Sequence, residues 1–231
     1  MSLADDLKEE VRAIVRGAWT NRDGQVVPEP EDLKLGNDGV KLDATVLYAD
    51  LDGSTDLVDR FSATFAAEVY KSYLVCAARI VKTEGGVITA YDGDRIMAVF
   101  IEGAKNTAAV RAALKINWAV GNIVNPEIKA LYTGFEYIVR HHVGVDTSSI
   151  LAARIGVRND NDIVWVGRAA NYAAKLSSIN DSAPLFITGE VYDAMLQPAK
   201  FGTSGANMWT ERKWTDKGGM RVFSSTWQWS L

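Results

Sequence analysis

Hydrophobic residues follow a helical pattern at the start of the chain and a mixed pattern of strands and helices after it. Apolar side chains recur every three or four positions over residues 3–18, which is the spacing of one face of a helix. Residues 21–39 are rich in turn-forming residues and contain two prolines. We therefore expect an N-terminal helix and extension over residues 1–40 and a main domain over residues 41–231.

The first half of the main domain predicts a strand, a helix and a hairpin. A run of apolar residues over 44–49 predicts a buried strand, and helical spacing over 57–81 predicts one long helix that ends before Gly85. Apolar residues at 87–91 and 95–100 flank an Asp-Gly pair, which is typical of a β-hairpin.

The second half continues the mixed pattern. An alanine-rich segment over 104–124 predicts another long helix. The segments after it predict strands at 136–146, 148–152, 162–166 and 184–187 and helices at 168–179 and 189–196. Trp227 and Trp229 are two positions apart, so we expect them on one face of a strand in a C-terminal hairpin. The element order βαββαβ, followed by further elements, predicts an α+β fold.

Composition and charge exclude several classes of protein. The chain has 231 residues, 48% of them hydrophobic, which is typical of a globular protein with a sizeable core. Its 25 basic and 29 acidic residues give a net charge of −4, which argues against a nucleic-acid partner. We expect no membrane segment and a cytoplasmic protein. The single cysteine, Cys76, has apolar neighbours and is expected to be buried.

Two aspartates are candidates for binding a divalent cation. Asp50 ends the first strand, and Asp94 opens the second arm of the hairpin. If these strands are neighbours, both carboxylates reach one edge of the sheet, where Mg²⁺ could bind them together with substrate phosphates. The alternative is that each aspartate only ends a strand, since aspartate is common in turns.

Two further segments could bind other parts of a nucleotide. The turn Asp52-Gly53-Ser54-Thr55 leads into a helix N-terminus, which favours phosphate, although the chain has no P-loop or Rossmann motif. Asn171 and Lys175 are four residues apart and share one helix face, where they could hold a ribose and a phosphate or simply face solvent. His141 and His142 are adjacent on a strand and point to opposite sides, so they cannot jointly hold a metal.

Taken together, three segments resemble the motifs of the class III nucleotidyl cyclase catalytic domain, over roughly residues 43–229. They are Ala49-Asp50-Leu51-Asp52-Gly53-Ser54-Thr55, Gly93-Asp94, and Gly167 through Asn171 to Lys175. Each motif is weak alone, but their order and spacing fit the family. The resemblance implies a ferredoxin-like α+β domain with a C-terminal β-hairpin arm, assembled as a head-to-tail homodimer with sites shared between subunits.

The resemblance also implies a mechanism. Asp50 and Asp94 would hold two Mn²⁺ or Mg²⁺ ions, assisted by the carbonyl of Leu51, while the 3′-hydroxyl of a nucleoside triphosphate attacks the α-phosphorus. Asn171 would orient the ribose. Lys175 of the opposite subunit would meet the α-phosphate at a position where the family usually has arginine, so the bidentate fork of arginine is lost.

Departures from the family concern the base. Purine cyclases read the purine with polar residues at the positions held here by Ala90 and Val164, so a purine would be left without partners. Tyr91 and Arg95 could instead contact a smaller base. The pattern resembles the bacterial pyrimidine cyclases of antiphage signalling, whose product is sensed by a separate effector. We expect UTP as substrate, with a cytidylate cyclase, an adenylate cyclase and a non-catalytic nucleotide-binding module as alternatives.

Overall fold

The computed structural model describes residues 2–157 and 160–231, and within them nine strands form one mixed sheet. The strands are β1 (Thr20–Asp23), β2 (Asp38–Asp52), β3 (Val87–Asp92), β4 (Arg95–Phe100), β5 (Arg140–Val157), β6 (Asp160–Gly167), β7 (Leu185–Thr188), β8 (Thr210–Trp214) and β9 (Met220–Ser225). The helices are α1 (Leu3–Arg16), α2 (Ser54–Arg60), α3 (Ala63–Thr83), α4 (Lys105–Ala119), α5 (Asn125–Leu131), α6 (Arg168–Leu176), α7 (Gly189–Ala194) and α8 (Gln197–Lys200). No helix in the described part of the chain is long and apolar enough to cross a membrane.

The central strands have the ferredoxin-like order. They lie as β5-β2-β4-β3, with α3 connecting β2 to β3 and α4 connecting β4 to β5. Beyond β5 the sheet continues through β7 to the antiparallel C-terminal hairpin β8–β9. At its other margins β1 pairs in parallel with β2, and β6 pairs with β5. The predicted α+β arrangement with a βαββαβ core is confirmed.

Both faces of β2 are buried, and alternate residues belong to different cores. Leu47 and Ala49 lie in the large core under α3 and α4, whereas Val46 lies in a smaller core under α6. Because side chains alternate along a strand, Tyr48 and Asp50 continue the α6 side of β2. The end of β2 therefore presents the polar groups of Tyr48 and Asp50 on the side of the sheet that carries α6.

The prediction of one long helix over 57–81 is wrong, because two helices lie in this range. The chain leaves the helical conformation between α2, which ends at Arg60, and α3, which begins at Ala63. Ser62 is the N-cap of α3, and its side-chain oxygen accepts a hydrogen bond from the backbone N–H of Phe65 at 3.2 Å. A serine N-cap satisfies one of the unpaired amides at a helix start, so the break is stabilised locally.

The strand boundaries of the second half also differ from expectation. The strands expected at 136–146 and 148–152 form one continuous strand, β5, which starts at Arg140. Its pairing with β2 is unbroken from Asp52 to Gly39, and Thr147, the one residue between the two expected strands, pairs with Thr45. The helix expected over 168–179 is α6, which ends three residues earlier, at Leu176.

The C-terminal tryptophans do not lie on a strand. Trp227 and Trp229 follow β9 and run along α4. The backbone N–H of Trp229 donates to the carbonyl of Leu114 at 3.2 Å, and the side-chain amide of Asn117 donates to the carbonyl of Trp227 at 2.9 Å. Within the hairpin itself the buried tryptophan is Trp214. The last residues are thus held by hydrogen bonds to a helix rather than by a sheet ladder.

Cys76 is half-buried on α3 and not fully buried as expected. The helix turns this position toward the rim of the large core, where it packs from outside. Partial burial raises the pKa of the thiol, which favours the neutral, less reactive form.

Close packing of α6 on β5 depends on Gly144. A Cβ atom at this position would lie 2.1 Å from the carbonyl oxygen of Ala173 and 2.6 Å from the amide nitrogen of Ser177. Both are backbone atoms, so neither can move away as a flexible side chain could. Glycine therefore sets the distance between the strand and the helix.

We expect Gly144→Ala to destabilise the fold by about 2–3 kcal/mol, because the added methyl forces α6 away from β5. The free energy of unfolding, measured by urea denaturation, checks this. Gly134→Ala is the matched control, since a Cβ at Gly134 meets no atom of the described residues within 4 Å. Equal urea midpoints for Gly144→Ala and Gly134→Ala would show that the close contact between β5 and α6 does not require glycine at position 144.

Candidate active site

Asp50 and Asp94 meet at one end of the central strands. Asp50 lies on β2 opposite Arg95, the first residue of β4. Asp94 is in the tight turn that leads into β4, next to Gly93, whose φ of +61° favours glycine. The antiparallel pairing of β2 with β4 therefore places the two carboxylates close enough for the charge of Asp94 to act on Asp50.

The electrostatics of this pair suit a cation. Burial, and after it the charge of Asp94, raises the pKa of Asp50 to about 6. Oδ2 of Asp94 is buried and has no hydrogen-bond partner among the described residues. Two half-buried carboxylates that repel each other are costly unless a positive charge neutralises them. Carboxylate oxygens are also the ligands that Mg²⁺ and Mn²⁺ prefer, so the residues present fit a divalent cation.

The protein supplies only part of a metal coordination shell here. Among the described residues there is no group of three or more His, Cys, Asp and Glu side chains placed to hold a metal ion. Leu51 is buried between Asp50 and Asp52, and its backbone pairs with His141 of β5. A cation at Asp50 and Asp94 would need further oxygens from backbone, water or substrate phosphates.

The turn after β2 leads directly into α2. Gly53 has a φ of +74°, in the left-handed region that favours glycine, and α2 begins with Ser54 and Thr55. The carboxylate of Asp52 is paired with the Nε of Arg140 at 3.1 Å. An anion at this turn would therefore meet backbone N–H groups and hydroxyls, while the charge of Asp52 is balanced by Arg140.

Arg95 lies on the α6 side of the sheet, together with Asp50. Its guanidinium packs over the ring of Tyr48, 5.5 Å from the ring centroid, and forms an ion pair with Asp92 at 2.5 Å. Tyr48 is half-buried, and burial raises the pKa of its hydroxyl. Tyr48 was not predicted as a site residue, although its position two residues before Asp50 on the same strand already puts it on the same face.

The other residues expected to contact the base are not all gathered around Arg95. Ala90 is half-buried at the edge of the core under α6. Tyr91 is its neighbour along β3 and so points to the opposite side of the hairpin, where it is exposed. Val164 lies on β6, which pairs with β5 and not with the hairpin. Of these residues, Ala90 lies on the Arg95 side of the hairpin.

Asn171 and Lys175 lie one turn apart on α6, and both are exposed. The start of this helix is fixed by Arg168. Its guanidinium bonds both carboxylate oxygens of Asp146, at 3.1 and 3.2 Å, and an oxygen of Glu190 at 2.6 Å. Asp146 is fully buried, so this ion pair ties α6 firmly to β5.

A cavity of about 740 Å³ beside Lys175 carries excess positive charge. Two acidic residues, Asp181 and Asp216, line it against five cationic residues, which are Arg95, Lys175, Arg212, Lys213 and Lys217. The ammonium group of Lys217 lies beside that of Lys175 and lowers the pKa of Lys175. Like charges held together in this way favour an anionic ligand.

Arg212, Lys213 and Lys217 were not predicted from the sequence to belong to this site. They lie on β8 and in the turn after it, more than thirty residues beyond α6 in the chain. A concentration of basic residues over 212–217 was the available signal, but only the pairing of β7 with β9 shows that the hairpin lies near α6.

His141 and His142 lie on opposite sides of β5, as strand alternation predicts. Nε2 of His141 is 3.2 Å from Oδ1 of Asn117, and Nε2 of His142 is 3.0 Å from the backbone oxygen of Asp181. Burial lowers the pKa of His141 to about 3, so this side chain is neutral at ordinary pH. Each histidine has its own structural partner.

The chain is similar to known proteins both in its sequence and in its fold. No protein-family model matches the chain. The chain is 48% identical to the uridylate cyclase of Burkholderia cepacia and 47% identical to that of Xanthomonas perforans, in both cases over 100% of each protein. The crystal structure of the adenylyl cyclase CyaB from P. aeruginosa matches with a TM-score of 0.69 at 20% identity, covering 81% of this chain and 95% of that one.

The structural likeness identifies the fold as that of the class III nucleotidyl cyclase domain. The sequence identity of 48% and 47% over the full length of two uridylate cyclases identifies the family more specifically. The chain belongs to the uridylate cyclase family of nucleotidyl cyclases.

Proposed function

We propose that this enzyme converts UTP to 3′,5′-cyclic UMP and pyrophosphate. The 3′-oxygen attacks the α-phosphorus and loses its proton to solvent, while the bond between the α-phosphorus and the oxygen that bridges to the β-phosphate breaks. Pyrophosphate leaves with that oxygen. The full-length identity to a protein named uridylate cyclase carries this proposal.

Asp50 and Asp94 are the proposed ligands of two Mn²⁺ or Mg²⁺ ions, with the carbonyl of Leu51 as a further oxygen. Divalent cations bound there would acidify the 3′-hydroxyl and offset the charge of the triphosphate. The fold sets the positions of the two carboxylates. Pairing of β2 with β4 fixes Asp50, and the tight hairpin turn fixes Asp94.

The remaining polar groups are proposed to bind the ribose and the phosphates. Asn171 would hydrogen-bond the ribose, and Lys175 would approach the α-phosphate. The cationic cavity beside Lys175 suits the rest of the triphosphate because it holds three further basic residues of the β8–β9 region. The turn Asp52-Gly53-Ser54-Thr55 would add backbone N–H groups at the start of α2.

A head-to-tail homodimer is proposed as the active form. In this arrangement α6 of one subunit completes the Asp50–Asp94 site of the other. Exposure of both Asn171 and Lys175 supports this, since their side chains reach outward from the subunit that carries them. Lysine at position 175 keeps the positive charge and offers a single ammonium group to the phosphate.

Base selection is proposed to depend on what surrounds Arg95. Ala90 offers a purine no side-chain hydrogen bond, so a purine bound beside Arg95 would lose its contacts with water without replacement. Val164, the other position proposed to contact the base, offers none either and lies on β6, apart from the hairpin. The guanidinium of Arg95, held over Tyr48, can donate to a carbonyl oxygen of uracil. Ala90 borders this position on the same side of the hairpin, whereas Tyr91 lies on the other side.

Arg95→Ala should lower kcat/KM for UTP by about 10- to 100-fold, because a charge-assisted hydrogen bond to the base is lost. Steady-state kinetics with UTP check this. Lys34→Ala removes a charge from the N-terminal extension and serves as the control. An unchanged kcat/KM in Arg95→Ala would remove Arg95 from the base site.

The proposed biological role is to make a second messenger in antiphage defence in the cytoplasm. The cyclic product would be sensed by a separate effector protein. This role rests on the motif resemblance to the pyrimidine cyclases of antiphage signalling and on the relatives named uridylate cyclase.

The reaction type is tested by a product balance. Purified protein is incubated with UTP and either Mn²⁺ or Mg²⁺, and cyclic UMP, UMP, UDP and pyrophosphate are measured together. We expect one pyrophosphate for each cyclic UMP and no more UMP than in a sample without enzyme. UMP or UDP in place of the cyclic product would show hydrolysis and contradict the proposed cyclisation.

A further inference from the structure

Tyr73 brings a hydroxyl group into the large core under α3 and α4. It lies in the middle of α3 and is the one fully buried tyrosine among the described residues. The other buried residues of this core have almost only hydrocarbon side chains, such as those of Leu47, Leu51 and Val69. Because a polar atom in an apolar core is costly unless it is hydrogen-bonded, the hydroxyl of Tyr73 needs a partner.

The partner of this hydroxyl is the backbone of Asp50. The hydroxyl of Tyr73 donates to the carbonyl oxygen of Asp50 at 3.4 Å. Since the side chain of Asp50 lies on the α6 side of the sheet, Tyr73 reaches the same residue from the opposite side. The hydrogen bond therefore holds the end of β2 without occupying a carboxylate oxygen that a cation would need.

The hydroxyl of Tyr73 also lies close to both candidate metal-binding carboxylates. Burial is the larger cause of its raised pKa, and the negative charges of Asp50 and Asp94 raise that pKa further. The influence of a charge falls with distance, so the tyrosine side chain ends beside the pair of aspartates. One buried group thus lies at the point where β2 and the hairpin turn bring their carboxylates together.

The carbonyl of Asp50 belongs to a rigid unit that includes the start of Leu51. A peptide bond is planar, so the carbonyl of Asp50 and the N–H of Leu51 can only turn together. A hydrogen bond that fixes the carbonyl therefore restrains the backbone on both sides of it. On one side is the Cα atom that carries the carboxylate of Asp50, and on the other is Leu51, whose own carbonyl is the further oxygen of the proposed cation site.

We propose that Tyr73 is a positioning residue of the cation site, which orients the carboxylate of Asp50 and the carbonyl of Leu51 by holding the peptide between them. This inference rests on the proposed function, which makes Asp50, Asp94 and Leu51 the metal ligands. Groups that orient metal ligands without touching the metal have a large effect on metal affinity. Tyr73 acts in this way through the backbone, from the far side of the sheet.

Direct binding of Mn²⁺ tests this role without depending on turnover. The unaltered protein and Tyr73→Phe are titrated with Mn²⁺ alone, and the free ion is measured by electron paramagnetic resonance. We expect Tyr73→Phe to raise the dissociation constant for Mn²⁺ by about tenfold. Tyr70→Phe is the matched control, because the hydroxyl of Tyr70 on the same helix also donates to a backbone carbonyl at 3.4 Å, that of Ser54. Tyr70→Phe should bind Mn²⁺ as the unaltered protein does.

The dependence of the reaction on Mn²⁺ gives a second readout. At low Mn²⁺ concentration, Tyr73→Phe should form cyclic nucleotide much more slowly than the unaltered protein. This difference should shrink as the Mn²⁺ concentration rises, because a weakened site is filled again. A loss of stability alone would lower the rate by the same factor at every Mn²⁺ concentration, and that result would overturn the proposal.

Asp94→Asn separates failure of this inference from failure of the proposed cation site. If Asp94→Asn loses Mn²⁺ binding while Tyr73→Phe binds Mn²⁺ as tightly as Tyr70→Phe, the cation site stands and the positioning role of Tyr73 is wrong. If Asp94→Asn binds as much Mn²⁺ as the unaltered protein, the site at Asp50 and Asp94 is wrong and the role of Tyr73 is refuted with it.

Discussion

Asp94→Asn should lower the rate of cyclic nucleotide formation by ~10³-fold or more, because a neutral amide cannot hold the cation that the proposed reaction requires. The fold should survive the change. Oδ2 of Asp94 is buried without a hydrogen-bond partner in the part of the chain that the structure describes, and the charge of Asp94 raises the pKa of Asp50, so the carboxylate contributes repulsion to the metal-free protein. We therefore expect the Tm of the metal-free variant to equal or exceed that of the unaltered protein.

Initial rates with UTP and Mn²⁺, together with thermal melts in the presence of a chelator, measure both effects. Asp43→Asn is the control, because Asp43 lies on β2, the strand that carries Asp50, but is exposed and pairs only with Lys105 among the described residues. Asp94→Asn with more than one tenth of the original activity would contradict the assignment. A large loss of stability would instead give Asp94 a structural role.

Mixing two inactive variants should restore activity. If each site takes Asp50 and Asp94 from one subunit and Asn171 from the other, an Asp50→Ala chain and an Asn171→Ala chain form a heterodimer with one intact site. Random exchange makes about half of the dimers heterodimers, so the mixture should recover about a quarter of the original activity.

The control mixture pairs Asp50→Ala with Asp94→Ala. Both changes affect the same half of the site, so every site in that heterodimer lacks one carboxylate and the mixture should stay inactive. Subunit exchange is checked with differently tagged chains. If tagged chains exchange but the first mixture remains as inactive as the control, the composite site is wrong.

Local patterns predicted the central part of the fold. The apolar strand before Asp50 and the Asp-Gly hairpin at 92–93 are short-range signals, and together they placed Asp50 and Asp94 at one sheet end. The break at Ser62 was missed because apolar residues keep helical spacing from Leu57 through Phe61 to Phe65. Period alone does not show where the backbone leaves the helix, whereas the N-cap serine does.

The missed site residues depend on tertiary structure. Arg212, Lys213 and Lys217 enter the cavity beside Lys175 only because β9 pairs with β7, and such long-range pairing is not visible in local periodicity. Tyr48 could have been predicted from the sequence as a site residue, since it lies on the same face of β2 as Asp50. Its place in an apolar strand made it resemble an ordinary core residue.

Competition among substrates shows which base the enzyme selects. Equimolar ATP, GTP, CTP and UTP are supplied together with Mn²⁺ or Mg²⁺, and the cyclic products are identified and quantified by mass spectrometry at low conversion, when their ratio equals the ratio of kcat/KM values. We expect cyclic UMP to exceed each other cyclic nucleotide by at least tenfold. A majority of cyclic CMP, cyclic AMP or cyclic GMP would contradict it.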